Sequence, residues 1–490
     1  MTPVSQRPTS RNRLVKTRII ATVGPACESI DVLRQLVASG VDIFRLNFAH
    51  GQYEWLEERV RLIRQVASEL GCPVGILGDL SGPKIRLGEI SGGDVQCTEG
   101  AAFRFIRGTE SNDPTDLTCT YEPLIDDVRI GDRILLADGT VAMVVFEKSP
   151  DAAWVRCTVT QAGKVRSRQG VNLPGVALST PSVTTKDRQD LAWALQQKLD
   201  FIGLSFVRQA DDILMLHQLI DAHSPAVRPL VVAKIEKTEA IADLDNILHA
   251  ADAVMVARGD LGVEAEISRV PILQKQIIRR CNEFRIPVIT ATQMLDSMQN
   301  NDLPTRAEVT DVANAVIDGT DAVMLSGETA IGQNPVQCVR MMDRIAAEAE
   351  PLVQPHDLQE LKAEESRRAR PITEAVTRGA IAAADYLDAD LIVVATVTGR
   401  TALALSRHRG RVPILAITDR DEVARRMCLY WGVTPILSKL VRQSADALLQ
   451  FVVQWGAQHD MLRSGSKVVV VGHTNWLGET HDLVMVHVLP

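Results

Sequence analysis

Eight apolar runs of strand length, separated by helix-length segments, constrain this chain more than any other feature. They are TRIIATVG (17–24), DIFRLNFA (42–49), GILGDLSG (75–82), FIGLSF (201–206), VVAKIE (231–236), AVMVARGD (253–260), VITATQ (288–293) and AVMLSGE (322–328). Amphipathic segments such as YEWLEERVRLIRQVASEL and ISRVPILQKQIIRRCNEF fall between them. Eight strand–helix repeats predict a closed (β/α)8 barrel of the α/β class. In that fold the reactive side chains stand at the C-terminal ends of the strands. Those ends carry Arg45 and Asn47, Asp79, Ser205, Lys234 and Glu236, Asp260, Thr292, and Ser326 with Glu328. Packing alone does not explain so many polar groups at equivalent positions, although Glu328 reads as a structural hydrogen-bonder to neighbouring loops.

The stretch 231–262 is the most informative. Two apolar runs flank EAIADLDNILHA, which reads as one helix of a βαβ unit. Lys234 and Glu236 lie two apart, as do Arg258 and Asp260. In a strand, positions two apart share a face, so each pair is expected to project together. Charges inside β-branched runs are unfavourable unless paired or metal-bound. One such pair is equally well a structural ion pair. Two pairs at successive strand ends point to a cation-and-phosphate site.

The repeat is interrupted after the third run. Residues 84–180 hold short alternating strands and turn signals, which predict an all-β insert placed as a lid over the catalytic face. Asp138, in the turn ADGT, would sit near the mouth, although Asp-Gly is in itself an ordinary hairpin turn. A charged segment with prolines, 354–371, marks a boundary, and the alternation restarts with LIVVATV, PILAIT, TPILSK, SKVVVVGH and DLVMVHVL. This predicts an open C-terminal α/β domain. Its first strand runs into Thr396, Thr398, Gly399, Arg400 and Thr401 ahead of a helix, which suits a phosphate or simply a capped turn. The expected organisation is a disordered arm over 1–14, a barrel over 15–83 and 181–350, a lid over 84–180 and a C-terminal domain over 351–490. The formal charge of −8 gives no reason to expect nucleic-acid binding. No run of 18 apolar residues suggests a membrane span, and the 8 cysteines show no Cys-x-x-Cys pairing. The first dozen residues lack the apolar stretch of a secretory signal, so a cytoplasmic location is expected.

Several segments are specific enough to place the chain beside a known family. TRIIATVGPA, FRLNFAHG, GDLSGPKIR, GVNLPG, AKIEKTEA, VMVARGDLGVE, TATQMLDSM, PTRAE and TVTGRTA resemble pyruvate kinases along nearly the whole length. The resemblance implies phosphoryl transfer from phosphoenolpyruvate to ADP, giving pyruvate and ATP in glycolysis. It implies that Glu236 and Asp260 hold Mg2+ or Mn2+ and that Lys234 neutralises charge on the phosphoryl group and enolate. Arg45 and Arg86 would hold phosphate oxygens, and Asn47 and His50 would lie on the nucleotide side. Backbone N–H groups at Gly259 and Asp260 would take the substrate carboxylate. Thr292 would face the enolate methylene, with the proton coming from it or from a water. A homotetramer and a phosphorylated effector at Thr396–Thr401 are also implied. The segment HTNWLGETHD would close over that effector or form a plain hairpin loop.

Two departures qualify the resemblance. Many family members bind K+ through an Asn, a Ser, an Asp and the following Thr, with a Glu a few residues on. In this chain Asn47 and Asp79 remain, but Ala49, Leu80 and Lys84 occupy the other three positions. The expectation is that Lys84 substitutes for K+, which is then not required. Arg168, Gln169 and Gly170 stand where many members carry lysines facing the nucleotide, weakening that contact. The nearest rival is an aldolase- or lyase-type barrel with a Schiff-base lysine, but a metal-binding glutamate beside Lys234 favours a charged ammonium. A non-catalytic sensor would not need Arg45, Lys234, Glu236, Asp260 and Thr292 together.

Overall fold

The computed structural model describes residues 15–108, 110–111, 113–354, 371–442, 445–473 and 481–489. The expected arm over 1–14, most of the charged boundary segment and most of HTNWLGETHD lie outside the described residues.

Eight parallel strands close the barrel: Arg18–Thr22, Val41–Asn47, Gly75–Leu80, Phe201–Leu204, Leu230–Ile235, Ala253–Ala257, Val288–Ala291 and Ala322–Leu325. Each pairs with its sequence neighbour, and the last closes on the first through Ile19 opposite Val323. Their near-continuous burial on both faces explains why they read as unbroken apolar runs rather than alternating ones. The helix Tyr53–Leu70 has the boundaries its pattern predicts. It buries Leu56, Val60, Ile63 and Val66 and stops at Gly71, whose φ of 61° only glycine adopts freely. The segment EAIADLDNILHA is not one helix but two, Thr238–Ala242 and Leu244–Ala250. Asp243 interrupts it, because its carboxylate accepts from Ala210 N at 2.8 Å and from Asn246 Nδ2 at 2.6 Å.

The insert leaves after Leu80 and forms a six-stranded sheet and a two-stranded sheet around its own apolar cluster. The hairpin Arg133–Leu136 and Val141–Lys148 turns at Ala137, Asp138 and Gly139, all with positive φ. The chain re-enters the barrel through the helix Thr185–Gln196, capped by reciprocal bonds between Thr184 and Asp187.

The C-terminal sheet has the order Val433–Leu437, Ile414–Thr418, Leu391–Ala395, Lys467–Gly472, Leu483–Val488, with only the last strand antiparallel. Pro435 is tolerated because its strand is at the edge. An apolar cluster runs without a break from the barrel interior (Ile20, Leu77, Met255, Met324) into this sheet (Ile392, Ala416, Val469). A buried charge cluster accompanies it. Asp321, just before the last barrel strand, receives Arg407 Nη1 at 2.8 Å and Arg409 Nη1 at 3.1 Å from the C-terminal domain. Arg285 pairs with Glu374 across the same boundary at 2.7 Å.

No helix of the described residues is long and apolar enough to cross a membrane.

Candidate active site

Lys234 is the penultimate residue of the strand Leu230–Ile235, and Glu236 immediately follows it. Their spacing does place them together: Lys234 Nζ lies 2.9 Å from Glu236 Oε1. The same ammonium lies 3.2 Å from Asp79 Oδ1 and donates to Ser205 Oγ at 2.6 Å. Ser205 Oγ in turn donates to Leu80 O at 2.7 Å. Arg45 grips the other oxygen of Asp79, with Nε at 2.7 Å and Nη2 at 2.6 Å, and reaches Thr22 Oγ1 at 3.2 Å. Three strands or their ends thus deliver two cations and two carboxylates to one buried cluster, and the end of a fourth adds Ser205.

Electrostatics inside this cluster are uneven. Burial works against the Lys234 ammonium, but Asp79 and Glu236 outweigh it and hold its pKa above the ordinary lysine value. Burial likewise pushes Asp79 up, yet Lys234 and Arg45 bring it below the usual carboxylate range. Glu236 differs. Burial pushes its carboxyl up to about 7, Lys234 only partly opposes this, and Asp260 adds to it. Two facing carboxylates, one strained toward protonation, form a hard-oxygen donor set that a divalent cation would relieve. No cage of three or more candidate ligands occurs among the described residues. A pair suits Mg2+, which keeps waters and takes few carboxylates.

The second charged pair behaves otherwise than expected. The strand ends at Ala257, and Arg258–Glu264 is a helix, so Arg258 and Asp260 do not share a strand face. Asp260 borders the cleft beneath the insert. Arg258 turns away, pairs with Asp311 at 2.6 Å, and donates to Thr292 O at 2.7 Å and Gln293 O at 3.2 Å. Its task is positioning. Thr292 and Gln293 have φ of 65° and 54°, a strained backbone for a β-branched residue, and Arg258 fixes that turn by its carbonyls. Thr292 Oγ1 accepts from Gly259 N at 2.8 Å and donates to Ala291 O at 2.7 Å, so the Gly259 N–H is already engaged.

The remaining expected residues are distributed around this cluster. Asn47 Oδ1 accepts from Ala49 N at 3.1 Å, and His50 is exposed beside it. Lys84 is exposed and lines a narrow cleft with Asp138, Asp260 and Lys237. It is not brought to Asp79, whose oxygens face Arg45 and Lys234. Arg86 sits at the base of the insert and donates to Arg168 O at 3.3 Å. Glu328 is structural, accepting from Leu295 N at 3.1 Å and Ser326 N at 2.6 Å. Insert and barrel meet near Lys237, which pairs with Glu264 at 2.6 Å and lines the cleft together with the insert residue Asn172.

Sequence reasoning missed that Asp79 clamps both cations. A signal existed in Gly203, inside the run FIGLSF. A Cβ there would lie 3.0 Å from Asp79 Oδ1, and glycine inside a strand marks such close approach.

In the C-terminal domain, Thr396 Oγ1 accepts from Gly399 N at 3.0 Å. Thr401 Oγ1 meets His481 Nδ1 at 2.8 Å, while His481 Nε2 donates to Ala395 O at 2.6 Å. Gly399 has φ of 78° and opens the helix Arg400–Arg407, and Thr398 and Arg400 are exposed.

Comparison with known proteins agrees along both parts of the chain. The family model described as pyruvate kinase, barrel domain, matches residues 14–339, and that described as pyruvate kinase, alpha/beta domain, matches 374–487. The chain is 42% identical over 476 residues to a pyruvate kinase of Geobacillus stearothermophilus, covering 97% of this chain and 80% of that one. It is 45% identical to pyruvate kinase 2 of Synechocystis sp., covering 97% and 79%. A crystal structure of a pyruvate kinase from Cryptosporidium parvum superposes with a TM-score of 0.90 at 34% identity, covering 97% of this chain and 96% of that chain.

Proposed function

The chain belongs to the pyruvate kinase family and transfers the phosphoryl group of phosphoenolpyruvate to ADP, giving pyruvate and ATP, and on that premise we propose roles for its residues. Phosphoryl transfer depends on positioning and charge neutralisation more than on covalent chemistry by the protein. Lys234 faces the transferring phosphoryl group and stabilises the enolate left behind. Arg45 and Arg86 hold phosphate oxygens through their forked donors. The backbone N–H groups of Gly259 and Asp260 receive the substrate carboxylate, which requires Thr292 Oγ1 to release Gly259 N. Thr292 lines the methylene face of the enolate, where a proton must arrive. Asn47 and His50 lie on the nucleotide side, and Asp138 of the insert lines the cleft with Lys84 and Asp260. The family uses a divalent metal, and Glu236 and Asp260 would hold Mg2+ or Mn2+, which when bound supplies Lewis-acid neutralisation of the developing charge. The observation supporting this reading is the single buried cluster of Arg45, Asp79, Lys234 and Glu236. Coupled ATP formation from ADP and phosphoenolpyruvate tests it. A Schiff-base lyase would instead be trapped at Lys234 by borohydride in the presence of pyruvate.

The Glu236 proton competes with the metal. The apparent Mg2+ dissociation constant, read by activity titration, is expected to rise about tenfold per pH unit below 7. In the metal-free protein the sign is opposite to that of an ordinary buried salt-bridged acid. The raised pKa contributes stability that is fully present below the ordinary value of 4.5 and is lost as the pH rises through about 7.

Lys84 supplies the positive charge that K+ gives elsewhere in the family. What supports this is an exposed ammonium with no ion-pair partner among the described residues, lining the same cleft as Asp260. Rates in sodium-only, potassium-only and tetramethylammonium buffers are expected to coincide. A strong rise with K+ would refute the substitution.

The loop Thr396, Thr398, Gly399, Arg400 and Thr401 takes a phosphorylated effector that lowers the apparent substrate constant. Thr398→Glu is expected to abolish activation by a panel of sugar phosphates and AMP while basal turnover persists. A homotetramer in the cytoplasm completes this reading.

A further inference from the structure

A cleft of about 630 Å3 lies between the C-terminal domain and the floor of the barrel, at the end opposite Lys234. Arg228 and Asp252 precede two successive barrel strands and form part of one wall, while Arg400, Arg420, Glu422 and Arg426 face them from the C-terminal domain. Four guanidinium groups line it against two carboxylates, and with Asp221, which pairs with Arg228 from outside the lining, a surplus of one positive charge remains, on a chain whose formal charge is −8.

Among the described residues neither Asp252 nor Glu422 forms an ion pair with any of the four arginines. Asp252 Oδ2 already accepts from Val231 N at 3.0 Å. Arg228 is oriented by His217 Nδ1 at 3.0 Å and Asp221 at 3.4 Å, and its carbonyl accepts from Arg426 Nη2 across the domain boundary. Arg426 Nε is buried with no hydrogen-bond partner. The side chains of Arg400 and Arg420 are exposed and make no hydrogen bond or ion pair among the described residues.

We propose that this interdomain cleft is a binding site for a phosphorylated small molecule. Forked guanidinium donors match phosphate oxygens, and low-dielectric walls of net positive charge concentrate the field on an entering anion. A phosphate gripped from both walls holds the C-terminal domain against the barrel, so occupancy is coupled to the relative placement of the two. The site shares Thr398 and Arg400 with the effector loop but does not depend on the effector reading. Thr396 and Thr401 are turned inward, engaged with Gly399 N and His481.

Isothermal titration of the full chain with pyrophosphate tests the proposal, comparing wild type with Arg228→Ala/Arg420→Ala. Any pyrophosphate taken up at the barrel mouth remains in both proteins and cancels. The wild type is expected to show a saturable site, one per chain, that weakens with added NaCl. The double variant is expected to lose that site or to bind about tenfold more weakly. Arg420→Lys, which keeps the charge but not the fork, is expected to fall between them and guards against misfolding as the explanation. No saturable binding in wild type, or equal binding in the double variant, overturns the proposal. If no phosphorylated compound activates the wild type, the effector reading falls while the arginine-dependent isotherm stands.

Discussion

Lys234→Met is expected to lower kcat by about 10³-fold while the barrel stays folded. Methionine nearly matches the lysine in length and removes only the ammonium. Its three neighbours keep other partners. Asp79 remains clamped by Arg45, Glu236 Oε2 still accepts from Phe206 N at 2.6 Å, and Ser205 still bonds Leu80 O. What disappears is the one cation that faces both Asp79 and Glu236. With that cation gone, burial and Asp260 push the Glu236 carboxyl further up, so the activating Mg2+ concentration is expected to rise as well. A fall in kcat with little change in the phosphoenolpyruvate KM marks an interaction made in the transition state. A raised KM with kcat intact would assign Lys234 to ground-state binding and rule out its stabilising the enolate. Arginine is not expected to rescue, because its planar fork does not fit a slot built for a point donor to Ser205.

Asp321→Ala is expected to destabilise the protein by about 3–5 kcal/mol, the range for stripping one partner from a buried ion pair. Asp321 is fully buried and serves two guanidinium groups that are themselves buried. It also accepts from Val288 N at 2.8 Å, so one carboxylate ties the barrel floor to the C-terminal domain. Without it Arg407 and Arg409 face each other with no ion-pair partner among the described residues. Arg409 keeps Gly319 O at 2.6 Å and the Trp431 ring at 4.9 Å, which offsets part of the loss. Asp321→Asn keeps a hydrogen-bond acceptor and is expected to lie between wild type and alanine. Urea denaturation followed by fluorescence and by activity measures this. A change below about 1 kcal/mol would show that the arginines relocate to solvent. Activity lost before fluorescence would place the break at the domain boundary rather than in the barrel.

The eight strands were legible because each is buried on both faces, and a run of Val, Ile, Leu and Ala is the direct imprint of that burial. The all-β insert and the C-terminal sheet were legible from the change of period and the turn residues. Lys234 and Glu236 were legible because the strand continues to Ile235, so spacing and geometry agree. Arg258 and Asp260 misled because the strand stops at Ala257 and the same spacing falls inside the helix that follows. One chain position decides whether residues two apart point together or nearly apart. The single helix expected over 239–250 failed for a similar local reason, an aspartate able to cap against a distant backbone N–H.

By itself the sequence determined the architecture and the identity of the polar groups at the barrel mouth, since burial pattern and residue chemistry are properties of the chain read locally. Only the tertiary structure decided which charges meet. That Asp79 holds both Arg45 and Lys234, that Arg258 supports the Thr292 turn, and that four arginines converge between domains all depend on contacts between residues distant in the chain. A local pattern carries no information about such partners, because the pairing energy arises only once folding has excluded water between them.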